Sequence, residues 1–152
     1  MRALLLGALA LAGCAAETPP DDAAALRALF DRFAILADDK DVAAQLALFT
    51  EDAVVVSRAD GEVTELAGRE AIGAAFTGFL SQFDTVFHQN GQHVVTLDGD
   101  RASGTGYSTV VLGNADGRMT MGVIYSDDYV REDGQWKIER RESDFRWRDG
   151  PR

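Results

Sequence analysis

The second half of the chain is the strongest constraint on its fold. From Thr85 onward it consists of four long β-forming stretches divided by short turn signals. These are Thr85 to Leu97 before Asp98-Gly99, Arg101 to Leu112 before Asn114 to Gly117, Arg118 to Val130 before Asp133-Gly134, and Gln135 to about Trp147. Strands joined by turns this short can pair with their neighbours only in the antiparallel sense, so a meander is predicted. Gly91, Gly104 and Gly106 fall inside these strands, where bulges or sharp bends are expected.

The first half is helical in texture. Leu26, Leu29, Phe30, Phe33 and Leu36 recur at helical spacing after Asp21-Asp22, predicting an N-capped amphipathic helix over 23–37 that Asp38 ends. Asp41 is placed to cap a shorter helix, Val42 to Phe49, stopped by Thr50-Glu51-Asp52. Ala53 to Ser57 reads as a strand that turns at Ala59-Asp60-Gly61 into a partner, Glu62 to Leu66. Gly68-Arg69-Glu70 opens a third helix with Ile72, Phe76, Phe79, Leu80 and Phe83 as its apolar side. Helices first and sheet last predict an α+β domain whose helices cover one face of a curved antiparallel sheet. With 152 residues, 46% of them hydrophobic, the chain suffices for one core.

A formal charge of -10 makes the surface repel phosphate backbones, which argues against nucleic-acid binding. The only cysteine, Cys14, excludes an intramolecular disulfide and a cysteine-ligated metal cluster. Residues 1–13 (MRALLLGALALAG) combine an early Arg2 with an apolar run too short to span a bilayer, the pattern of an export signal. Leu11-Ala12-Gly13-Cys14 resembles the lipobox of bacterial lipoproteins, which implies lipidation at Cys14 and membrane attachment. Ala15 after the cysteine points to the outer membrane, facing the periplasm. Residues 14–22, with Pro19-Pro20, read as a tether, and 23–148 as the folded domain.

His88 and His93 are the only histidines, and proton transfer near neutrality would pass through one of them. Five residues apart on a regular strand, they point to opposite faces, so at most one enters a shared pocket. Met119, Met121, Val123 and Tyr125 share one strand face and read as core or pocket wall. Asp127-Asp128 reads as a loop or strand-edge pair rather than as acid-base machinery. Asp98-Gly99-Asp100 lacks further calcium ligands, and Gly104-Thr105-Gly106 lacks the rest of a dinucleotide loop.

Several stretches together resemble the SnoaL-like domain of the nuclear transport factor 2-like superfamily. They are Ala37 to Val54, Leu66 to Ile72, His88 and His93 before Leu97-Asp98-Gly99-Asp100, and Tyr129 to Ile138 followed by Arg141. The resemblance spans about Leu26 to Trp147 and implies a cone-shaped α+β fold with an apolar pocket. It also implies self-association as a homodimer or homotrimer through sheet faces. In the dehydratase and dehydrochlorinase branch, an aspartate ending the first helix pairs with a histidine on the first long strand, and Asp38 and His88 match by position. Arg141 is the nearest match to an arginine that stabilises charge. Strict alternation from Trp136 and Ile138 instead turns Arg140 inward, so Arg141 faces the pocket only across a bulge.

The implied chemistry is lyase or isomerase action on a small apolar or cyclic molecule, with neither cofactor nor metal. His88 would be the base, Asp38 its orienting partner and Arg141 the oxyanion group, helped by Tyr125 or Tyr107. Phe33, Ala34, Val110 and Tyr125 are the expected pocket residues. A non-catalytic binding or self-association module of the same fold remains open, because Phe33 stands near where some dehydratases carry an acid tyrosine.

Overall fold

The computed structural model describes residues 21–150. The expected export signal, Cys14 and most of the expected tether therefore lie outside the described residues. In chain order the elements are α1 (Asp22–Asp38), α2 (Val42–Leu46), β1 (Phe49–Ala59), β2 (Glu62–Ala67), α3 (Arg69–Leu80), β3 (Thr85–Asp98), β4 (Arg101–Asn114), β5 (Gly117–Glu132) and β6 (Gln135–Asp149). The six strands form one sheet in the order β2-β1-β6-β5-β4-β3.

β3 to β6 form the expected meander, each antiparallel to the next. β1, however, lies parallel to β6, so the sheet is mixed rather than wholly antiparallel. The long connection that a parallel neighbour requires is supplied here by β2, α3 and the meander itself. α2 ends at Leu46, three residues before the expected Phe49. Phe49 and Thr50-Glu51-Asp52 open β1 instead. Phe49 is fully buried, and its ring meets Phe33 and Phe76 edge to face.

Asp21 caps α1 by accepting from the Ala24 amide at 3.1 Å. The helix buries Leu26, Leu29, Phe30, Phe33, Ala34, Leu36 and Ala37. Its start is tied to the far end of the sheet, where Asp22 accepts from Trp136 Nε1 at 3.1 Å and pairs with Arg131 at 2.7 Å. Its side lies along β3, the strand at one edge of the sheet. Arg27 Nη1 donates to the Gly91 carbonyl at 2.9 Å, Asn90 donates to Asp31 at 3.0 Å, and Asp38 accepts from the His88 amide at 3.1 Å. α1 thus covers an edge that would otherwise offer backbone groups to another chain.

The end of α1 is a tight corner. The Lys40 amide donates to Ala37 and the Asp41 amide to Leu36, at 3.0 and 2.9 Å, closing the helix with Lys40 at φ 56°. Glycine is the usual residue in that left-handed position, and a side chain there costs about 1–2 kcal/mol. Asp41 then caps α2 by accepting from Ala44 at 3.0 Å. Asp38 is held between these two closures.

Of the glycines expected to mark bulges, Gly91 lies within one, a register shift of β3 between Asn90 and His93. Gly104 and Gly106 instead keep regular register with both neighbouring strands. Their missing side chains leave room for rings. A Cβ on Gly106 would come within 2.3 Å of Phe30 Cζ, and one on Gly104 within 2.9 Å of Tyr129 Cε2. Phe30 is buried, whereas Trp147, which a Cβ on Gly122 would meet, is half-exposed and free to swing away. Gly106→Ala should accordingly cost about 1–3 kcal/mol in urea denaturation. Gly122→Ala should cost less than half as much; equal losses would refute this packing.

Candidate functional site

The site sits between the helices and the inner sheet face. A cavity of about 490 Å³, mostly apolar, is bounded by α1, α2, α3 and residues from all six strands. Phe33, Val110 and Tyr125 line it; Ala34 is buried but does not reach its wall, where Ala37 from the same helix stands instead. Rotation along α1 decides this, since residues three or four apart share a face and Phe33 and Ala37 are such a pair. Tyr107, the alternative hydroxyl, is half-exposed and outside the cavity wall.

His88 reaches the cavity from β3. Its Nδ1 lies 2.7 Å from Asp38 Oδ1, while Asp38 Oδ2 accepts the His88 backbone amide. One carboxylate therefore grips a single residue at both backbone and ring. A carboxylate can only accept, so in the neutral ring Nδ1 carries the proton and Nε2 is the acceptor. The His88 side chain is 8% exposed.

His93 faces the same way. The extra residue in β3 between Asn90 and His93 cancels the odd spacing, so the expectation of opposite faces fails. His93 stays outside the cavity all the same. Its ring stacks on Phe30 with centroids 4.5 Å apart and planes 4° from parallel, and Nε2 lies 3.2 Å from the Tyr129 hydroxyl. Burial holds its pKa below the ordinary histidine value; the Asp127 charge acts in the opposite direction and is outweighed.

Arg141 is the largest fully buried side chain among the described residues. A bulge puts it there: Tyr129 faces Ile138 while Asp128 faces Arg140, leaving Glu139 as an extra residue in β6. Arg140 is displaced to the other face, 3.8 Å from Glu65. Arg141 meets Asp127 directly across the strands, with Nε to Oδ1 at 2.8 Å and Nη2 to Oδ2 at 2.6 Å. Burial works against its charge, but the Asp127 carboxylate outweighs this and holds the proton more firmly than on a free arginine. The guanidinium carbon lies 4.0 Å from the centre of the Phe33 ring and 4.7 Å from that of Tyr125. Nη1, buried, has no partner among the described residues.

Asp127 was legible as more than a strand-edge acid. Continuing the inward set Met119, Met121, Val123 and Tyr125 by twos reaches Asp127 and Tyr129. A carboxylate in such a stripe needs a buried cation. Tyr129 also donates its hydroxyl to Asp127 Oδ2 at 2.7 Å, so Arg141, Asp127 and Tyr129 form a buried polar chain that ends at the partly buried His93. Tyr125 is buried, which pushes its phenol up to about 12 and keeps it protonated as a donor; the Arg141 charge opposes this shift. Gln45 on α2, 1% exposed and in the cavity wall, was not foreseen at all.

The chain matches the profile of the SnoaL-like domain over residues 20–142. No curated protein matches at a significant level. Among solved structures, a Novosphingobium aromaticivorans protein provisionally named an aromatic ring hydroxylase is 29% identical, with 89% of this chain and 96% of that one covered and a TM-score of 0.79. A second from that organism, provisionally named a scytalone dehydratase, is 21% identical over 86% and 88%, with a TM-score of 0.78. A type 2 hexachlorocyclohexane dehydrochlorinase, LinA, is 16% identical over 86% and 89%, with a TM-score of 0.74. Another neighbour, also from Novosphingobium aromaticivorans, carries the description NTF2-like with a cystatin-like fold.

Removing one partner of the buried ion pair should be severe. Asp127→Asn leaves the Arg141 charge uncompensated and should cost about 3–5 kcal/mol by urea denaturation. Adding Arg141→Met should recover most of that loss, and a double variant no more stable than Asp127→Asn would contradict the pairing.

Proposed function

Because the chain belongs to the SnoaL-like domain family and has the NTF2-like fold, we propose that it is a cofactor-independent lyase or isomerase acting on a small apolar or cyclic molecule. The observation that carries this reading is the 2.7 Å contact between His88 Nδ1 and Asp38 Oδ1 beside an apolar cavity that His88 lines. The names of the dehydratase and dehydrochlorinase neighbours agree with elimination chemistry. Likenesses of 21% and 16% support the fold only.

In this mechanism His88 Nε2 removes a proton from a carbon next to a carbonyl or a leaving group. Asp38 holds the ring in orientation and stabilises the imidazolium that forms. Its place at the C-terminus of α1, where unpaired carbonyls give partial negative charge, adds to that stabilisation. The electron pair moves onto the substrate oxygen or expels the leaving group. Arg141 and the Tyr125 hydroxyl, both in the cavity wall, supply donors to the developing oxyanion. The apolar walls exclude water, which strengthens these interactions.

One observation favours a binding module instead. Asp127 already neutralises Arg141, which reduces the field left for an oxyanion. Turnover of cyclic carbonyl and halogenated compounds separates the two readings. Catalysis should fall roughly 10²–10⁴-fold in His88→Ala and substantially in Asp38→Asn, with thermal stabilisation by ligand retained. Stabilisation without turnover in either wild type or His88→Ala would leave binding alone.

The proposal includes location: the cysteine of Leu11-Ala12-Gly13-Cys14 carries lipid and tethers the domain to the cell envelope through 14–22. Cys14→Ser should move the protein from the membrane fraction to the soluble fraction of a Gram-negative host. Unchanged membrane association would exclude the lipid anchor.

A further inference from the structure

The outer face of the sheet, turned away from the helices and the cavity, holds a second hollow of about 570 Å³. That volume falls within the roughly 300–1,000 Å³ of small-molecule sites. Met121 and Val123 are buried in the core, so Gly122 between them faces outward, as does Tyr107 beside the inward-facing Gly106. Trp147 is the cross-strand partner of Gly122. A Cβ on Gly122 would come within 2.1, 2.4 and 2.8 Å of the indole Nε1, Cε2 and Cδ1, so the indole lies over the glycine. Trp147 nevertheless stays 51% exposed, and Tyr107, on the neighbouring strand β4, 47%. Two aromatic side chains thus stand open to solvent around one hollow, and the indole is seated there by the missing side chain of Gly122.

The groups around them are polar but electrically balanced. Gln89, Gln92 and Thr109 offer donors and acceptors without charge. Arg146 is the one charged side chain in the lining, and it donates to Asp144 at 2.8 Å, which offsets its charge. An ionic ligand therefore finds no uncompensated charge in the hollow. Further along the same face the rows become polar: Thr105, Ser126 and Glu142, then Ser103, Asp128 and Arg140. The rings are accordingly not part of a continuous apolar surface of the kind a second copy buries at the centre of an interface. What fits is a neutral molecule with an apolar face and a rim of hydroxyls. A pyranose is built in that way, its C–H groups forming the apolar face, and tyrosine and tryptophan carry the matching apolar body and polar tip. Equatorial β-1,4 linkages keep successive pyranoses in a flat ribbon that can lie across neighbouring strands, whereas α-1,4 linkages curl the chain. We propose that this hollow binds a neutral β-1,4-linked saccharide, with pyranose C–H faces on Trp147 and Tyr107 and hydroxyls bonded to Gln89, Gln92 and Thr109. The site is separate from the cavity and independent of any chemistry performed there.

The test is calorimetric titration of the full-length chain with cellohexaose and chitohexaose, with maltohexaose as the curled control and sedimentation velocity run on the protein alone. At least one β-1,4 oligomer should bind with Kd near or below about 1 mM, and more tightly than maltohexaose. Trp147→Ala should weaken that binding roughly tenfold or more, the usual effect of truncating an aromatic anchor. Gly122→Ala, which displaces the indole without removing it, should weaken it as well. Phe87→Ala removes an exposed aromatic side chain that lies outside the hollow and should leave the affinity unchanged. Binding by neither β-1,4 oligomer would overturn the inference, as would undiminished binding in Trp147→Ala or an equal loss in Phe87→Ala. A wild-type dimer that Trp147→Ala turns into a monomer would assign the face to a second copy and overturn it too. Should Trp147→Ala fail to fold, the comparison of Gly122→Ala with Phe87→Ala decides.

Discussion

A charged pair buried among aromatic rings sets the terms for the rest of this molecule. Asp127 and Arg141 are cross-strand partners on β5 and β6, and their side chains are 2% and 1% exposed. Such a pair contributes little net stability compared with apolar replacements of the same volume, since desolvation offsets the attraction. What it does contribute is register. Any slip of β6 against β5 would leave an isolated charge in the core, so the pair penalises the competing arrangement that an extra residue at Glu139 invites. The same guanidinium lies against Phe33 of α1, so α1 and the sheet are matched at one point. Tyr129 and His93 extend the network towards the edge strand.

Bulges then decide which chemistry faces inward. Along a regular strand the choice is binary, and one extra residue reverses it for everything that follows. The extra residue at Glu139 exchanges Arg140 for Arg141, and a second at Arg146, between the pairs Val123-Phe145 and Gly122-Trp147, turns Trp147 outward and lets Arg148 reach the cavity wall. The extra residue near Gly91 brings His93 to the side that already holds His88. In each strand the functional orientation differs from what uninterrupted alternation would produce. The resemblance to SnoaL-like domains favoured Arg141, and alternation favoured Arg140. The bulge reconciles them.

This explains how much could be read from residues alone. Strand limits and the meander were legible because Asp-Gly dipeptides and alternation are local signals. The inward set on β5 was legible for the same reason, and it contained Asp127 had it been followed two residues further. The parallel pairing of β1 with β6 was not, since Ala53-Val54-Val55-Val56 states that a strand exists but not which strand lies beside it. Nor was the bulge at Glu139, which carries no glycine. Gly104 and Gly106 show the converse: glycine in a strand signalled close approach of Phe30 and Tyr129 rather than a bend. For the candidate site, Asp38 and His88 came from family position, whereas Gln45 required knowing that its amide lies among aromatic rings.

Local rules are broken around the cavity more than elsewhere, and the breaks share a direction. Asp38 and Asp39 sit at the C-terminal end of α1, whose last turn has no basic residue to balance its carbonyls. Lys40 adopts a left-handed conformation better suited to glycine, yet its ammonium donates to the Phe83 carbonyl, tying the corner to the segment that leads into β3. Gln45 stands at an interior position of a helix too short to be stable by itself, and Arg141 brings a charge into the core. None of these improves packing. Asp38 instead holds His88 at an apolar cavity, and Gln45 and Arg141 place polar side chains in its wall. A chain under selection for stability alone would lose such features, and where they gather around one volume they mark the place where stability has been exchanged for recognition. The corner between α1 and α2 is therefore as much part of the site as the histidine it orients.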